Sequence, residues 1–369
     1  MLINNYDKNN DNQITNNDDD DNNNNDNFII NINNNKNNKI CSESHHKYYH
    51  NKYDFNDCCN DSLELFVDLM LSENEYILSG FRLETKNSYI ECTKSMFTLH
   101  NDTLNIWTHL VGAIIYLVLL FKSINIINYN NNNNINNSTN DFQSYINNNL
   151  NSDEKQTLNF IDLPSNFNFL FFLFSCFLCF TSSTIYHTYR SHSIPVFRKT
   201  LMLDVSSIGF LILSSVCLII DSELSCWPSF KKVYLSLFLI LIIIALLLLP
   251  KIMREKRYGF RTLIFSILAL QGIVSHLLRI YMQGYFDQDF YVLKCLVFAY
   301  LFIGLGLAIR RLKVPEKYSP GKFDIWFSSH QIFHVLVVIG TIQIYNAFQR
   351  NYLNPNHNVD YVKHCLGFY

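Results

Sequence analysis

The sequence predicts an all-α membrane protein, a seven-transmembrane helix bundle with its N-terminus cytoplasmic and its C-terminus extracellular. Three observations carry that prediction. Seven apolar runs are each long enough to cross a bilayer, few charges interrupt them, and the loops between them differ systematically in Lys and Arg content. The 369 residues are 49% hydrophobic and 15% aromatic with a net charge of −2, a balance that gives no basis for nucleic-acid binding.

Residues 1 to about 60 are Asn/Asp-rich and poor in aliphatics, so they cannot bury enough apolar surface to offset ordering entropy and read as a disordered cytoplasmic tail. No apolar signal-peptide core precedes the first run, which leaves insertion to that run itself. Residues 61–104 are mixed. Asp61 to Phe66 and Tyr89 to Leu99 have helical periodicity with too much polarity to span, and Ser95 to His100 is expected to belong to a helix lying at the interface.

The seven-span domain covers 105–349, with runs near 105–127, 167–187, 198–220, 231–249, 261–281, 289–310 and 325–349. Lys122, Arg279 and Lys294 stand near run ends, where long side chains snorkel to the interface. An Asn-rich insert at 128–152 reads as a low-complexity outer loop. It carries overlapping glycosylation sequons at Asn136 and Asn137, which arise easily by chance in such a tract. Residues 350–369 form an extracellular tail.

Orientation follows from the basic residues. Loops after runs two, four and six carry Arg190, Arg198 and Lys199, then Lys251, Arg254, Lys256 and Arg257, then Arg310, Arg311, Lys313, Lys317 and Lys322. The other loops carry Lys155, then Lys231 and Lys232, then none, so the even loops are cytoplasmic. The result is a multi-pass protein of the plasma membrane or an internal membrane. Among the ten cysteines, Cys176 and Cys179 form a CxxC inside an apolar run and read as buried bystander thiols. Cys226 and Cys365 fall on one face, where pairing is open to them but not fixed by sequence.

The chemistry concentrates on one layer. His330 and His334 are four apart at the start of run seven, which puts both imidazoles on one helix face. Run two ends at His187, run three has Asp204 less than two turns from its start, and run one has His109 in its second turn. At about 1.5 Å per residue these groups lie within roughly 15 Å of the cytoplasmic edge. Polar groups inside a span are costly and mark function by default.

A lone intramembrane histidine is more often an interhelical hydrogen-bond donor, the reading taken for His276. His109 reads as structural, or as orienting the site from outside its ligand set. For the co-level set a metal is favoured, with His187, His330 and His334 as ligands of Zn2+. Three protein ligands leave a fourth position for water. Asp204 would act as general base or as an orienting partner, and Ser183, one turn before His187, would hydrogen-bond the water or a ligand carbonyl. A bis-histidine haem takes its axial ligands from opposing helices, which the i,i+4 pair does not favour.

These residues also carry a resemblance. Ser95 to Leu110 (SMFTLHNDTLNIWTHL), Ser183-x-x-x-His187 followed by Asp204, and the ordered stretches VPEK (314–317), PGKFDIW (320–326) and HQIFHV (330–335) resemble motifs of the progestin and adipoQ receptor family, especially its adiponectin-receptor branch. The match covers about residues 75–350. It implies a seven-helix receptor with zinc held by His187, His330 and His334, Asp204 and Ser183 beside the water, and ceramidase-like hydrolysis of a lipid amide. A ceramide-like membrane lipid is then the expected substrate. The alternative is a signalling receptor with a purely structural zinc and an extracellular ligand. A transporter or proton channel fits less well, because the charges gather at one level instead of forming a relay across the membrane.

Overall fold

The computed structural model describes residues 29–30, 74–82, 87–149, 165–283, 287–354 and 365. Most of the Asn/Asp-rich tail, the Asp61–Phe66 stretch and most of the C-terminal tail fall outside the described residues. Eight helices follow in order: α1 Tyr89–Ser95, α2 Thr103–Asn149, α3 Asn166–Tyr189, α4 Ile194–Glu223, α5 Pro228–Arg254, α6 Tyr258–Gln283, α7 Asp287–Leu312 and α8 Ser329–Leu353. A two-residue antiparallel pair joins β1, Ile29–Ile30, to β2, Phe81–Arg82. Helices α2 to α8 supply seven segments long and apolar enough to span a membrane, within a few residues of the seven apolar runs.

The ends have local causes. Ser165 caps α3 by accepting from Phe167 N, and Pro195 and Pro228 stand in the first turns of α4 and α5, where a missing N–H costs nothing. Ser328 opens α8 with a reciprocal capping box, its own N–H donating to Gln331 Oε1 at 3.1 Å.

Two expectations need correction. The chain stays helical through Asn149, so nearly all of the Asn-rich insert at 128–152 continues α2 where a loop was expected. Extending an existing helix costs only the modest propensity penalty of each asparagine, whereas starting one is what is costly. Conversely, Ser95 to His100 is not helical beyond Ser95. The short α1 is capped by Ser88 at its start, and the chain then turns as Trp107 Nε1 and His100 Nε2 take up the carbonyls of Met96 and Ser95.

Helix α8 packs against α2, α3 and α7, while α4 links that group to α5 and α6. One core cluster, including Tyr116, Phe172, Phe180, Leu296 and Phe348, joins α2, α3, α7 and α8. A second, including Val216, Phe238, Ile242 and Phe265, joins α4, α5 and α6. The α7–α8 contact is close enough to require glycine: a Cβ on Gly340 would lie 2.6 Å from Ile303 Cγ1 and 3.1 Å from the Ala299 carbonyl oxygen. The leucines and isoleucines left exposed along α5, such as Leu237, Ile240, Ile244 and Leu247, suit lipid contact. Cys176 and Cys179 are free and buried.

The bundle has two unlike ends. One carries the basic loops after α3, α5 and α7. The other carries a disulfide between Cys226 and Cys365, with a Cα–Cα distance of 5.3 Å.

Candidate metal centre

At the basic-loop end, α3 and α8 bring three imidazoles together. His187 stands in the last turn of α3, and His330 and His334 occupy the first two turns of α8. Ring centroids lie 5.1 Å apart for His187–His330, 5.0 Å for His187–His334 and 4.6 Å for His330–His334. One nitrogen from each ring falls within 4.8 Å of the others. His187 and His334 are buried, while His330 is half-buried.

In two of the rings the outward-facing nitrogen fixes which edge is basic. His187 Nδ1 donates to Asp102 Oδ1 at 2.9 Å, and His334 Nδ1 donates to the Asn105 carbonyl at 3.3 Å. With the proton on Nδ1 in each, the Nε2 lone pairs face inward. His187 Nε2 and His330 Nε2 are 3.3 Å apart. Two nitrogens held about 2.0–2.1 Å from one tetrahedral ion stand about 3.4 Å apart, so this spacing suits a small divalent cation. The donor set of three neutral imidazoles fits zinc and its first-row neighbours.

Asp102 organises the surroundings and was given no role by sequence alone. It sits one residue before α2, buried, and its Oδ1 accepts from His187 Nδ1, from Arg190 Nη1 at 3.1 Å and from Asn105 Nδ2 at 3.2 Å. Its Oδ2 accepts from Arg82 Nη2 at 3.3 Å. Burial pushes the Asp102 carboxyl up, but Arg190, the bond from His187 and Arg82 together outweigh it and hold the group well below the usual carboxylate range. A carboxylate behind a histidine's distal nitrogen is the arrangement that fixes ring orientation and raises ligand basicity at metal sites. Asp102 lies at the same depth as His187, but an acid just before a helix reads first as a cap, which hid it.

The remaining predicted residues divide. Ser183 is buried one turn before His187, and the Asp204 side chain lies within electrostatic reach of both residues. Asp204 itself is half-buried and stands outside the group of converging ligand atoms. His109 stacks parallel on His334, with centroids 3.7 Å apart and planes 8° from parallel, and so braces that ring from behind. His276 lies at the other end of the bundle, where its Nδ1 donates to Glu223 at 2.9 Å as an interhelical donor should. Arg279 does not snorkel. It is buried, with its Nε 2.5 Å from Glu223 Oε2, because a carboxylate inside the bundle offers a better partner than the interface.

Residues 97–345 match the protein family described as haemolysin-III related, a span that takes in α2, the histidines of α3 and α8, and everything between them. The chain belongs to that family. Progestin and adipoQ receptor-like protein 1 of Caenorhabditis elegans is 29% identical over 281 residues, which cover 74% of this chain and 57% of the relative. The adiponectin receptor protein of Drosophila melanogaster is 30% identical over 281 residues, covering 75% and 56% respectively. Heptahelical transmembrane protein 1 of Arabidopsis thaliana is also 30% identical, over 75% of this chain and 76% of its own length. The chain thus spans just over half the length of the first two relatives. This haemolysin-III-related chain is a multi-pass, adiponectin-receptor-like seven-helix membrane protein of the progestin and adipoQ receptor family.

Proposed function

We propose that the protein binds Zn2+ through His187, His330 and His334 and hydrolyses a lipid amide of the ceramide type. The single observation that carries this reading is the convergence of three imidazoles inside an apolar bundle, with Asp204 within electrostatic reach of His187. Zinc bound there would polarise a carbonyl oxygen and make water acidic near neutral pH. The chain's own residues supply the rest. Asp102 and the Asn105 carbonyl hold the Nδ1 protons of His187 and His334, which keeps the Nε2 lone pairs turned inward. Asp204 takes the proton from the attacking water and later delivers it to the departing amine. The Ser183 hydroxyl, near that carboxylate, would steady it or hydrogen-bond the water. A substrate with a long acyl chain is the class that reaches a site among membrane-spanning helices.

We place the site toward the cytoplasm. The basic loops support that orientation, and so does the disulfide at the opposite end, since disulfides persist in oxidising compartments. The second reading is a signalling receptor whose zinc is structural and whose ligand binds the outer face, supported by a relative named as an adiponectin receptor. The two separate in one experiment. Purified full-length protein is assayed for zinc content and for fatty-acid release from a panel of ceramides, beside Asp204→Asn. Hydrolysis predicts release by the wild type and its loss in Asp204→Asn with zinc retained. Stoichiometric zinc without release from any ceramide leaves the structural-zinc receptor.

A further inference from the structure

Both segments that bear the three imidazoles are gripped from outside the seven helices, and by parts of the chain that also grip each other. The first grip is Arg82, on β2. This guanidinium is buried and donates to Asp102 Oδ2, to Ser95 Oγ at 2.7 Å, to the Thr188 carbonyl at 3.1 Å and to the carbonyl of His187 itself. One side chain thus holds His187 twice, directly at its main chain and, through Asp102, at its ring. The carbonyls it takes are among the last of α3, which lack partners within the helix.

The second grip is Glu316, in the α7–α8 connection. It is fully buried, its Oε2 accepts from Ser329 N at 2.8 Å, and its Oε1 accepts from the Ser329 hydroxyl. Ser329 precedes His330. A carboxylate on the first N–H groups of a helix both caps it and complements its dipole, so Glu316 fixes where α8 begins.

The two grips are tied. Asn74 Nδ2 donates to Glu316 Oε1 at 2.7 Å, and Asp324, also in the α7–α8 connection, accepts from Leu78 N at 3.1 Å and from Ser79 Oγ at 2.6 Å. Gly321 N donates to the Tyr76 carbonyl, and Gly80 and Gly321 turn the two strands of this contact with φ of +78° and +83°, which favour glycine. We infer that residues 74–82 and the α7–α8 connection form a strap at the basic-loop end that sets the separation of the His187 and His330/His334 helices, with Arg82 as a positioning residue for His187. The inference rests on the metal-site reading for its consequence, but the strap itself is a claim about two helices.

Its test uses full-length protein in lipid nanodiscs, with two measurements on wild type, Arg82→Gln, Arg82→Lys and Asp324→Ala. The first is zinc affinity by competition with a chelator. Arg82→Gln should weaken it about tenfold, and Arg82→Lys should recover part of that loss, since an ammonium reaches Asp102 but cannot also span the carbonyls. Asp324→Ala touches no histidine, yet should weaken zinc by about threefold through the strap alone. The second is amide hydrogen exchange in the last turn of α3 and the first turn of α8, which should quicken in all three variants and needs no metal. Should Asp324→Ala fail to fold, Ser79→Ala removes one strap bond more gently. Unchanged exchange at both turns overturns the strap, as does unchanged zinc affinity in Arg82→Gln or Asp324→Ala. Quickened exchange in a protein that takes up no zinc upholds the strap and overturns the metal-site reading instead.

Discussion

Both ends of the bundle contain the same chemical unit, a buried carboxylate bonded to a histidine and to arginine, yet they do different things with it. At the basic-loop end Asp102 accepts from His187, Arg190 and Arg82. At the disulfide end Glu223 accepts from His276 and Arg279, and neighbouring Asp221 accepts from Lys231 at 2.7 Å. The difference lies on the far side of the imidazole. The Nε2 of His187 faces two further histidines, whereas the buried Nε2 of His276 has no hydrogen-bond partner among the described residues. A carboxylate–histidine–arginine set is therefore a clasp between α4 and α6 at one end and the support of a candidate metal centre at the other. The unit does not determine the role; the neighbouring helix does.

The comparison can be broken at either end. The largest effect is expected at the clasp. Arg279→Met leaves Glu223 buried with its arginine partner gone, and breaking a buried pair this way costs about 3–5 kcal/mol. Unfolding of the variant in mixed micelles should register that loss while zinc content per folded chain stays at the wild-type level. A change in zinc content would mean that the two ends are coupled.

Asp102→Asn should act in the opposite sense. It keeps the size of the side chain but weakens its hold on His187, and zinc affinity should fall about 10–100-fold. Glu223→Gln, the matching change at the disulfide end, should leave zinc affinity alone. Chelator competition on both variants measures the contrast.

The smallest effect expected is a pH dependence confined to the basic-loop end. His100 is buried there, with Nε2 donating to the Ser95 carbonyl and Nδ1 accepting from Asp102 N, so a second proton would cost it the latter bond. Burial and the nearby Arg82 lower its pKa from 6.5 to about 3. The unfolded chain takes up a proton below pH 6.5 that the folded chain refuses, so stability is lost as pH falls from 6.5 toward 3. Between pH 7 and pH 5 the loss is about 2 kcal/mol. His100→Gln should flatten that part of the pH–stability profile, and an unchanged profile would remove His100 from the account.

Much of the fold was legible because membrane spans obey one strong rule. A run such as 231–249 can only be buried in lipid or in protein, and its counterpart α5 begins and ends within a few residues of it. The histidines were legible for a related reason, since depth along a span converts position in sequence into a shared level. What escaped were contacts that depth does not determine. Arg82 comes from a short strand outside the bundle, and nothing in its neighbourhood of sequence announces that it reaches the end of α3. Glu223 falls three residues past the end of the run at 198–220, so its partnership with Arg279, 56 positions away, was invisible. The helical stretch beyond residue 127 was missed because composition argued for a loop while continuity with α2 carried the helix onward.

Whether the three imidazoles hold a metal is decided by elemental analysis of purified full-length wild type, His334→Ala and His276→Ala. Close to one zinc per chain is expected in the wild type and in His276→Ala, and none in His334→Ala. A wild type free of divalent metal after growth in zinc, or a His334→Ala chain that retains its full complement, would contradict the metal-site reading.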